Sequence, residues 1–351
     1  CGVGEMKGLV KTAKGPGNMA IQDVDEPLPG PGQVRVRVKW TGICGTDVHI
    51  ASGEYFYYFP PVVLGHEFAG EVDDIGEGVE GFSVGDRVAV EPTKSTCGKC
   101  LHCEEGNYNR CEERDIAGVV SHGAFTNYVV TRATSLHKLS DSVSFKAAAL
   151  SEPLAVCVHG LTEQCSISEG DTVLVVGPGT IGLCCAQVAM AHGARVIIAG
   201  TSRDRDRLAL AERLGVYRTV NVEDDDLKKS VAELTSGVGV NMAVEAVGGA
   251  APSRACLEAV RKGGQILQVG LPGEPVAVDL TLLAWKEIRL AGTFGQKRSA
   301  WKSAIGLLEA GKVDMEAMVS DVLSLSDWEA GFRIMERGEG LKVLLEPYPI
   351  H

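Results

Sequence analysis

The chain contains no apolar run approaching the roughly 18 residues that a membrane-spanning helix requires. No apolar h-region marks its start, and Met6 reads as a natural first residue. The preceding CGVGE is therefore expected to be extraneous to the fold, and the protein to be cytoplasmic. Positive charge is in deficit: 34 Lys and Arg stand against 46 Asp and Glu, a net charge of −12. That balance repels phosphate backbones and anionic membrane surfaces, and argues against both as partners. Internal repeats and low-complexity tracts are also missing, which argues against solenoids and propellers. Aromatic residues are few, yet five of the 19 crowd into positions 55 to 59 of "EYFYYFPP".

What is present is ordinary in bulk. Hydrophobic residues make up 45% and charged residues 23%. A length of 351 residues is long for one core and suits two domains. Through about residue 150 the chain strings short alternating runs between turn signals, as in "QVRVRVKWTGI" and "FAGEVDDIGEGVEGFSVGDRVAV", which predicts a mainly β unit. The pattern changes near Ser151. "AAALSEPLAVCVHGL" has helical spacing, and "DTVLVVGPGTIGLCCAQVAMAHGARVIIAG" reads strand, tight turn, helix, strand. "RDRLALAERLG" and "APSRACLEAVRKGG" read as helices, "VNMAVEAVG" and "QILQVG" as strands. Such alternation predicts a parallel sheet with helices on both faces. From about Thr293 the chain reads as helices ending in a strand at "LKVLLEP".

Three groups of residues carry chemistry. Gly177, Gly179 and Gly182 form G-x-G-x-x-G between a strand and a helix. There the first glycine makes the turn, the second admits a pyrophosphate to the backbone, and the third lets helix and strand pack closely. The helix start adds free N–H groups for the phosphates. Cys97, Cys100, Cys103 and Cys111 follow C-x2-C-x2-C-x7-C. With 11 cysteines, an odd count, and four within fifteen positions, metal is a better reading than disulfides. Four thiolates close a tetrahedral shell around structural zinc. An iron–sulfur cluster is the chief rival, and a nucleic-acid zinc ribbon is disfavoured by the acidic balance. The third group begins in the stretch "GICGTDVHI", read here as a loop. Cys44, with His66 and a carboxylate from Glu67 or Glu152, makes a mixed S/N/O set that suits a catalytic zinc with an open position.

These motifs occur in one order from Met6 to the end: "GICGTDVH", "LGHEFAGEV", "GVEGFSVGDRV", the cysteine lobe, "EPLAV" and "VVGPGTIG". In that order they resemble the zinc-dependent medium-chain dehydrogenase/reductases, in the polyol and threonine dehydrogenase branch. The resemblance implies an α/β protein with three parts. A GroES-like, mainly β catalytic domain would span 6–152, with the structural zinc lobe at about 92–115. A doubly wound Rossmann domain would span 153–294, and 295–351 would return to the catalytic domain. It further implies Cys44, His66, Glu67 and Glu152 as the catalytic zinc set, Glu152 standing where classical alcohol dehydrogenases have a cysteine. Asp47 would orient the imidazole, Thr46 would bond the substrate alkoxide, and His49 would end a proton relay; an exposed surface histidine is the plain alternative. The aromatic stretch would border the substrate cleft, with core packing or a subunit contact as the other reading.

For the coenzyme, the resemblance extends the binding set from the glycines to Thr180, Ile181, Val247, Val269, Gly270, Leu271, Thr293 and Phe294. The acid that holds an NAD ribose is expected about 20 residues past the glycines, but Gly200 stands there, followed by Thr201, Ser202, Arg203, Asp204 and Arg205. The sequence leans slightly to NADP, with Asp204 in a ribose role, and the arginines in solvent at a helix start, as the opposing reading. The expected activity is hydride transfer between the carbinol carbon of a polyol or secondary alcohol and NAD(P), by a homodimer or homotetramer. The alternatives are a threonine-type amino-alcohol dehydrogenase, a zinc-free quinone or enoyl reductase, and a non-catalytic nucleotide-binding protein of the same fold.

Overall fold

The computed structural model describes residues 4–348 and divides into two compact units. One holds residues up to Glu152, then Lys297–Glu309 and the chain from Met315; the other holds Pro153–Gln296 and Ala310–Asp314.

In the first unit the alternation of "QVRVRVKW" becomes the strand Gln33–Gly42. Val34, Val36 and Val38 point into the core. On the opposite face Arg35 pairs with Asp73, and Arg37 and Lys39 with Glu71. Because side chains alternate with period 2, the buried valines specify the register and the cross-strand charges support it. The antiparallel partner Glu67–Ile75 is thereby aligned with Gly42 opposite Glu67. Gly42 is required there, since a Cβ would lie 2.5 Å from Glu67 Oε2. The full sheet runs Leu136–Lys138, Arg87–Val90, Glu67–Ile75, Gln33–Gly42, Lys342–Glu346, Val319–Ser324, with Tyr128–Arg132 also pairing to Gln33–Gly42. A smaller sheet joins Met19–Asp25, Glu5–Lys11 and Val62–Val63. Here Glu5 pairs with Asp25 and the Gly4 carbonyl accepts from Glu26 N–H, so part of CGVGE belongs to the fold, contrary to expectation. Residues 1–3 of that stretch lie outside the described residues.

The second unit carries six parallel strands in the order Arg218–Asn221, Arg195–Gly200, Thr172–Val176, Val240–Glu245, Val260–Gln268, Arg289–Gly292. Every residue of "TVLVV" is buried, as a strand covered on both faces demands. In chain order this is 3-2-1-4-5-6, the Rossmann order, and ligands bind such sheets where the winding reverses. Here that point lies between Thr172–Val176 and Val240–Glu245. One expectation fails locally: "APSRACLEAVRKGG" is helical only over Ala250–Ala259, and from Val260 the chain is already strand. Gly263, at φ 66°, and Gly264, where a Cβ would meet Val260, resist helix continuation. Among the described residues no helix is long and apolar enough to cross a membrane.

Candidate functional site

The stretch expected as a loop is a helix from Gly45 to Ser52, with Cys44 as its N-cap. Asp47, in its first turn, is fully buried. Its Oδ2 accepts the Cys44 N–H at 2.9 Å and its Oδ1 the Gly65 N–H at 3.3 Å. One carboxylate thus ties the helix start to the segment preceding His66. Its Oδ1 also lies 3.5 Å from His66 Nδ1. At the far end of the helix, the buried Lys11 Nζ donates to Ala51 O at 3.2 Å, a cation on the negative pole of the helix. The strand register brings Glu67 to the same place, and the ligand atoms of Cys44, His66 and Glu67 lie within 4.8 Å of one another.

The proton affinities at this cluster are strongly perturbed. Burial pulls the His66 pKa down, but Asp47 and Cys44 outweigh it and hold it well above the usual value. Burial, with Glu67 adding, pushes Glu152 up to about 7 against the pull of His66, Lys342 and Arg114. Glu152 sits at the start of the helix Ser151–Val158 and lies outside the three-residue cluster. The sequence reading missed Lys342. This lysine, 2% exposed, lies on the strand next to Gln33–Gly42 and donates to Glu67 Oε1 and Oε2 at 2.9 and 2.6 Å. It also donates to Ile43 O at 3.2 Å. A lone lysine in the apolar run "LKVLLEP" was the only available signal. Thr46 is half-buried in the same first turn. His49 is exposed, with Nδ1 3.0 Å from Glu54 Oε2. Of the five clustered rings, Tyr58 is core and accepts the Gly15 N–H at 3.0 Å, while Phe56 and Phe59 are exposed. Tyr55 feels the charges of His66 and Cys44.

The cysteine lobe rises from a two-stranded ribbon, Thr93–Ser95 against Asp115–Ile116. Its four sulfurs lie within 4.8 Å of one another, with Cys97 Sγ 3.9 Å from Cys103 Sγ and 3.6 Å from Cys111 Sγ. A zinc ion with Zn–S near 2.3 Å needs S···S separations of about 3.8 Å in a tetrahedron, so the donor set fits the ion as it stands. Backbone N–H groups of Lys99 and Cys100 stabilise the Cys97 thiolate and bring its pKa down to about 7. Tyr108, inside the lobe, donates to the buried Glu91 at 2.6 Å, and Glu91 also holds His137 at 2.7 Å.

At the other candidate site Gly177 adopts φ 100°, and a Cβ there would strike Val247 at 2.5 Å. A Cβ at Gly182 would lie 1.8 Å from Gly177 O, whereas at Gly179 it would meet nothing within 4 Å. Tight turn, close packing and open approach thus fall on three different glycines, and the open one caps the helix Thr180–Ala191. Glu245, which the sequence reading passed over, organises the neighbouring loops. Fully buried, it accepts from Val247 N and Gly248 N at 2.9 Å and from Gln268 Nε2, while its carbonyl accepts from Val269 N and Gly270 N at 2.9 Å. Val247, Leu271 and Phe294 present exposed apolar side chains. A cavity of about 930 Å³ runs past Gly177, Gly200, Thr201, Asp204 and Val247. Asp204 Oδ2 is engaged by Thr201 N and Oγ1 at 3.0 Å each. Ser202, Arg203 and Arg205 are exposed and lie outside the cavity lining.

Comparison with known proteins gives this arrangement a family. Residues 30–141 match the alcohol dehydrogenase GroES-like domain and residues 180–310 the zinc-binding dehydrogenase domain. The chain is 43% identical to sorbitol dehydrogenase of Halalkalibacterium halodurans over 97% of its own length and 99% of the relative's. It is 40% identical to D-arabitol-phosphate dehydrogenase of Enterococcus avium over 98% of both. A protein of Sinorhizobium meliloti 1021, assigned as a zinc-binding dehydrogenase and solved bound to NADP, superposes with a TM-score of 0.91 at 30% identity, over 98% of this chain and 100% of that one. The chain belongs to the zinc-dependent medium-chain dehydrogenase/reductases, as an oxidoreductase of alcohols that uses zinc and a nicotinamide coenzyme.

Proposed function

We propose that the protein oxidises a secondary hydroxyl of a polyol, with Cys44, His66 and Glu67 holding a catalytic zinc and Glu152 beside them. The carrying observation is the cluster of three unlike donors within 4.8 Å, its histidine backed by buried Asp47. Bound there, zinc supplies Lewis acidity to an alcohol oxygen, and the coenzyme supplies the hydride acceptor. The rest falls to the chain. Thr46 hydrogen-bonds the substrate oxygen and takes its proton only as it hands on its own, and His49 ends that relay to water at the exposed end of the helix. Asp47 keeps the imidazole in place, as a ligating histidine requires. Cys97, Cys100, Cys103 and Cys111 hold a second, structural zinc. Gly177, Gly179, Gly182 and the start of Thr180–Ala191 take the pyrophosphate, with Ile181, Val247, Val269, Gly270, Leu271, Thr293 and Phe294 along the coenzyme.

Residues 6–152 form the catalytic domain and 153–294 the coenzyme domain, and 295–351 returns to the first except for Ala310–Asp314 and the residues before Lys297, which belong to the second unit; the protein works as a homodimer or homotetramer in the cytoplasm. The coenzyme preference leans to NADP: Gly200 carries no acid, Asp204 is occupied by Thr201, and Ser202, Arg203 and Arg205 stand exposed for a 2′-phosphate.

The test combines a metal count with kcat/KM for polyols using NAD and NADP. Wild type is expected to carry two zinc ions per chain, and Cys44→Ser one, with turnover abolished and the fold kept. Wild-type activity in Cys44→Ser overturns the assignment, and a more than tenfold preference for NAD overturns the NADP reading.

A further inference from the structure

Arg114 follows the last cysteine of the lobe by three residues and is 8% exposed. Its Nη1 donates to Asn109 O at 3.0 Å, and its Nε, also buried, has no partner. Among the described residues it takes part in no ion pair. A guanidinium out of water without a carboxylate against it is costly, because removing hydration from a full charge is compensated only by close counter-charge and hydrogen bonds. Two residues on, Ile116 packs with Tyr55 and Tyr57 against the core cluster that contains Ile43 and Ile50, on either side of Cys44, and the charges that act on Arg114 come from the same region. Glu152 acts on it most strongly, followed by the hydroxyls of Tyr55, Tyr108 and Tyr57. Tyr55 in turn feels His66 and Cys44, and Glu152 feels His66 and Glu67. Arg114 thus shares its surroundings with the donor cluster.

Glu152 is the nearest source of negative charge in effect, but among the described residues no carboxylate, Glu152 included, stands within ion-pair distance of the guanidinium. His66, Glu67 and Lys342 all act on Glu152 more strongly than Arg114 does. The guanidinium therefore keeps an unpartnered Nε–H close to a site whose carboxylates, Asp47, Glu67 and Glu152, already have His66 and Lys342 as their cations. We propose that Arg114 receives an anionic group, a phosphate monoester or a carboxylate, carried by the alcohol substrate whose hydroxyl is oxidised at Cys44, His66 and Glu67. This rests on the polyol reading above and narrows it to charged polyols. The planar fork of arginine matches either anion through paired N–H donors, which a point charge does not.

The test compares a neutral pentitol, its terminal phosphate and the corresponding aldonate as substrates of the zinc-loaded enzyme. Wild type is expected to favour one of the two anions in kcat/KM, and which one distinguishes phosphate from carboxylate. Arg114→Met is expected to lower kcat/KM for that anion by about 10- to 150-fold, at least tenfold more than for the pentitol. Arg114→Lys, which keeps the charge, restores part of the loss. Inorganic phosphate at millimolar concentration supplies a readout that needs no variant. It is expected to inhibit pentitol oxidation competitively with the pentitol and not with the coenzyme.

Equal losses on all three substrates in Arg114→Met would mean that the residue only neutralises Glu152, and overturn the proposal. Wild-type indifference to substrate charge overturns it too, even if Arg114→Met does not fold. Absence of wild-type turnover on all three substrates overturns the polyol reading, and this assignment with it.

Discussion

Asp47 shows how much one buried side chain can determine. Its two oxygens take N–H groups from Cys44 and Gly65, and the oxygen nearer Gly65 also faces His66. Replacing it with alanine removes both acceptors at once and leaves two interior donors unmatched, a loss of about 1–3 kcal/mol for each. The larger effect is on the metal: groups that orient a ligating histidine typically change zinc affinity by about 10- to 100-fold when lost. Asp47→Ala is therefore expected to weaken catalytic zinc by that factor while the four-cysteine site retains its ion. Chelator competition, resolving two classes of zinc, checks this. Equal weakening of both classes would mean the effect is global. Asp47 was legible beforehand only by resemblance; its double role depends on Gly65, eighteen residues away, whose N–H only the folded chain brings to it.

At the level of elements, the loops after Val240–Glu245 and Val260–Gln268 are built around Glu245. Its side chain holds Val247 and Gly248 and its carbonyl holds Val269 and Gly270, so one residue aligns two segments of the proposed coenzyme site. Gly270 is pressed so closely on this junction that a Cβ would lie 2.3 Å from Gly248 N. Glu245→Gln keeps the shape but turns one acceptor into a donor facing an N–H group. It is expected to raise coenzyme KM and Kd about tenfold, with a smaller effect on kcat, because charged hydrogen bonds of this kind contribute roughly 1.5–3 kcal/mol. Fluorescence titration of the reduced coenzyme measures it; unchanged Kd with lowered melting temperature would reduce Glu245 to a purely structural role. Sequence reading passed over Glu245 because it lies within "VNMAVEAVG", read as one strand, where nothing local marks its carboxylate as a centre for loops. Only the folded loops show that its oxygens turn back into the protein.

For the whole molecule, the zinc proposed above would compete with protons for the same interior groups. Burial and Glu67 raise Glu152 to about 7, and Asp47 and Cys44 hold His66 well above its usual value despite burial. Both groups therefore bind protons more tightly in the folded, metal-free chain than in the unfolded one. For His66 the stabilisation is complete below its unfolded pKa of 6.5 and is lost as pH rises through the folded value. For Glu152 a penalty develops as pH rises from 4.5 to about 7. Both slopes have the same sign, so metal-free protein loses stability with rising pH over this window, whereas a bound cation favours the deprotonated groups. The melting temperature of zinc-free protein is expected to fall between about pH 5 and pH 8, with a widening gap to the zinc-loaded protein; a constant gap would contradict it.

The sequence by itself determined the two fold types, the glycine turn and the cysteine lobe, because each depends on near neighbours. Period-2 valines, a continuous apolar strand and four thiols within fifteen positions act over one or two turns of chain. What only the tertiary structure decided depends on contacts distant in sequence. Lys342 meets Glu67 across 275 positions, Glu245 gathers loops from two strands, and Arg114 is left buried with its Nε unpaired. Local periodicity records which face of a strand is buried, but not which charge from elsewhere in the chain will be placed against it.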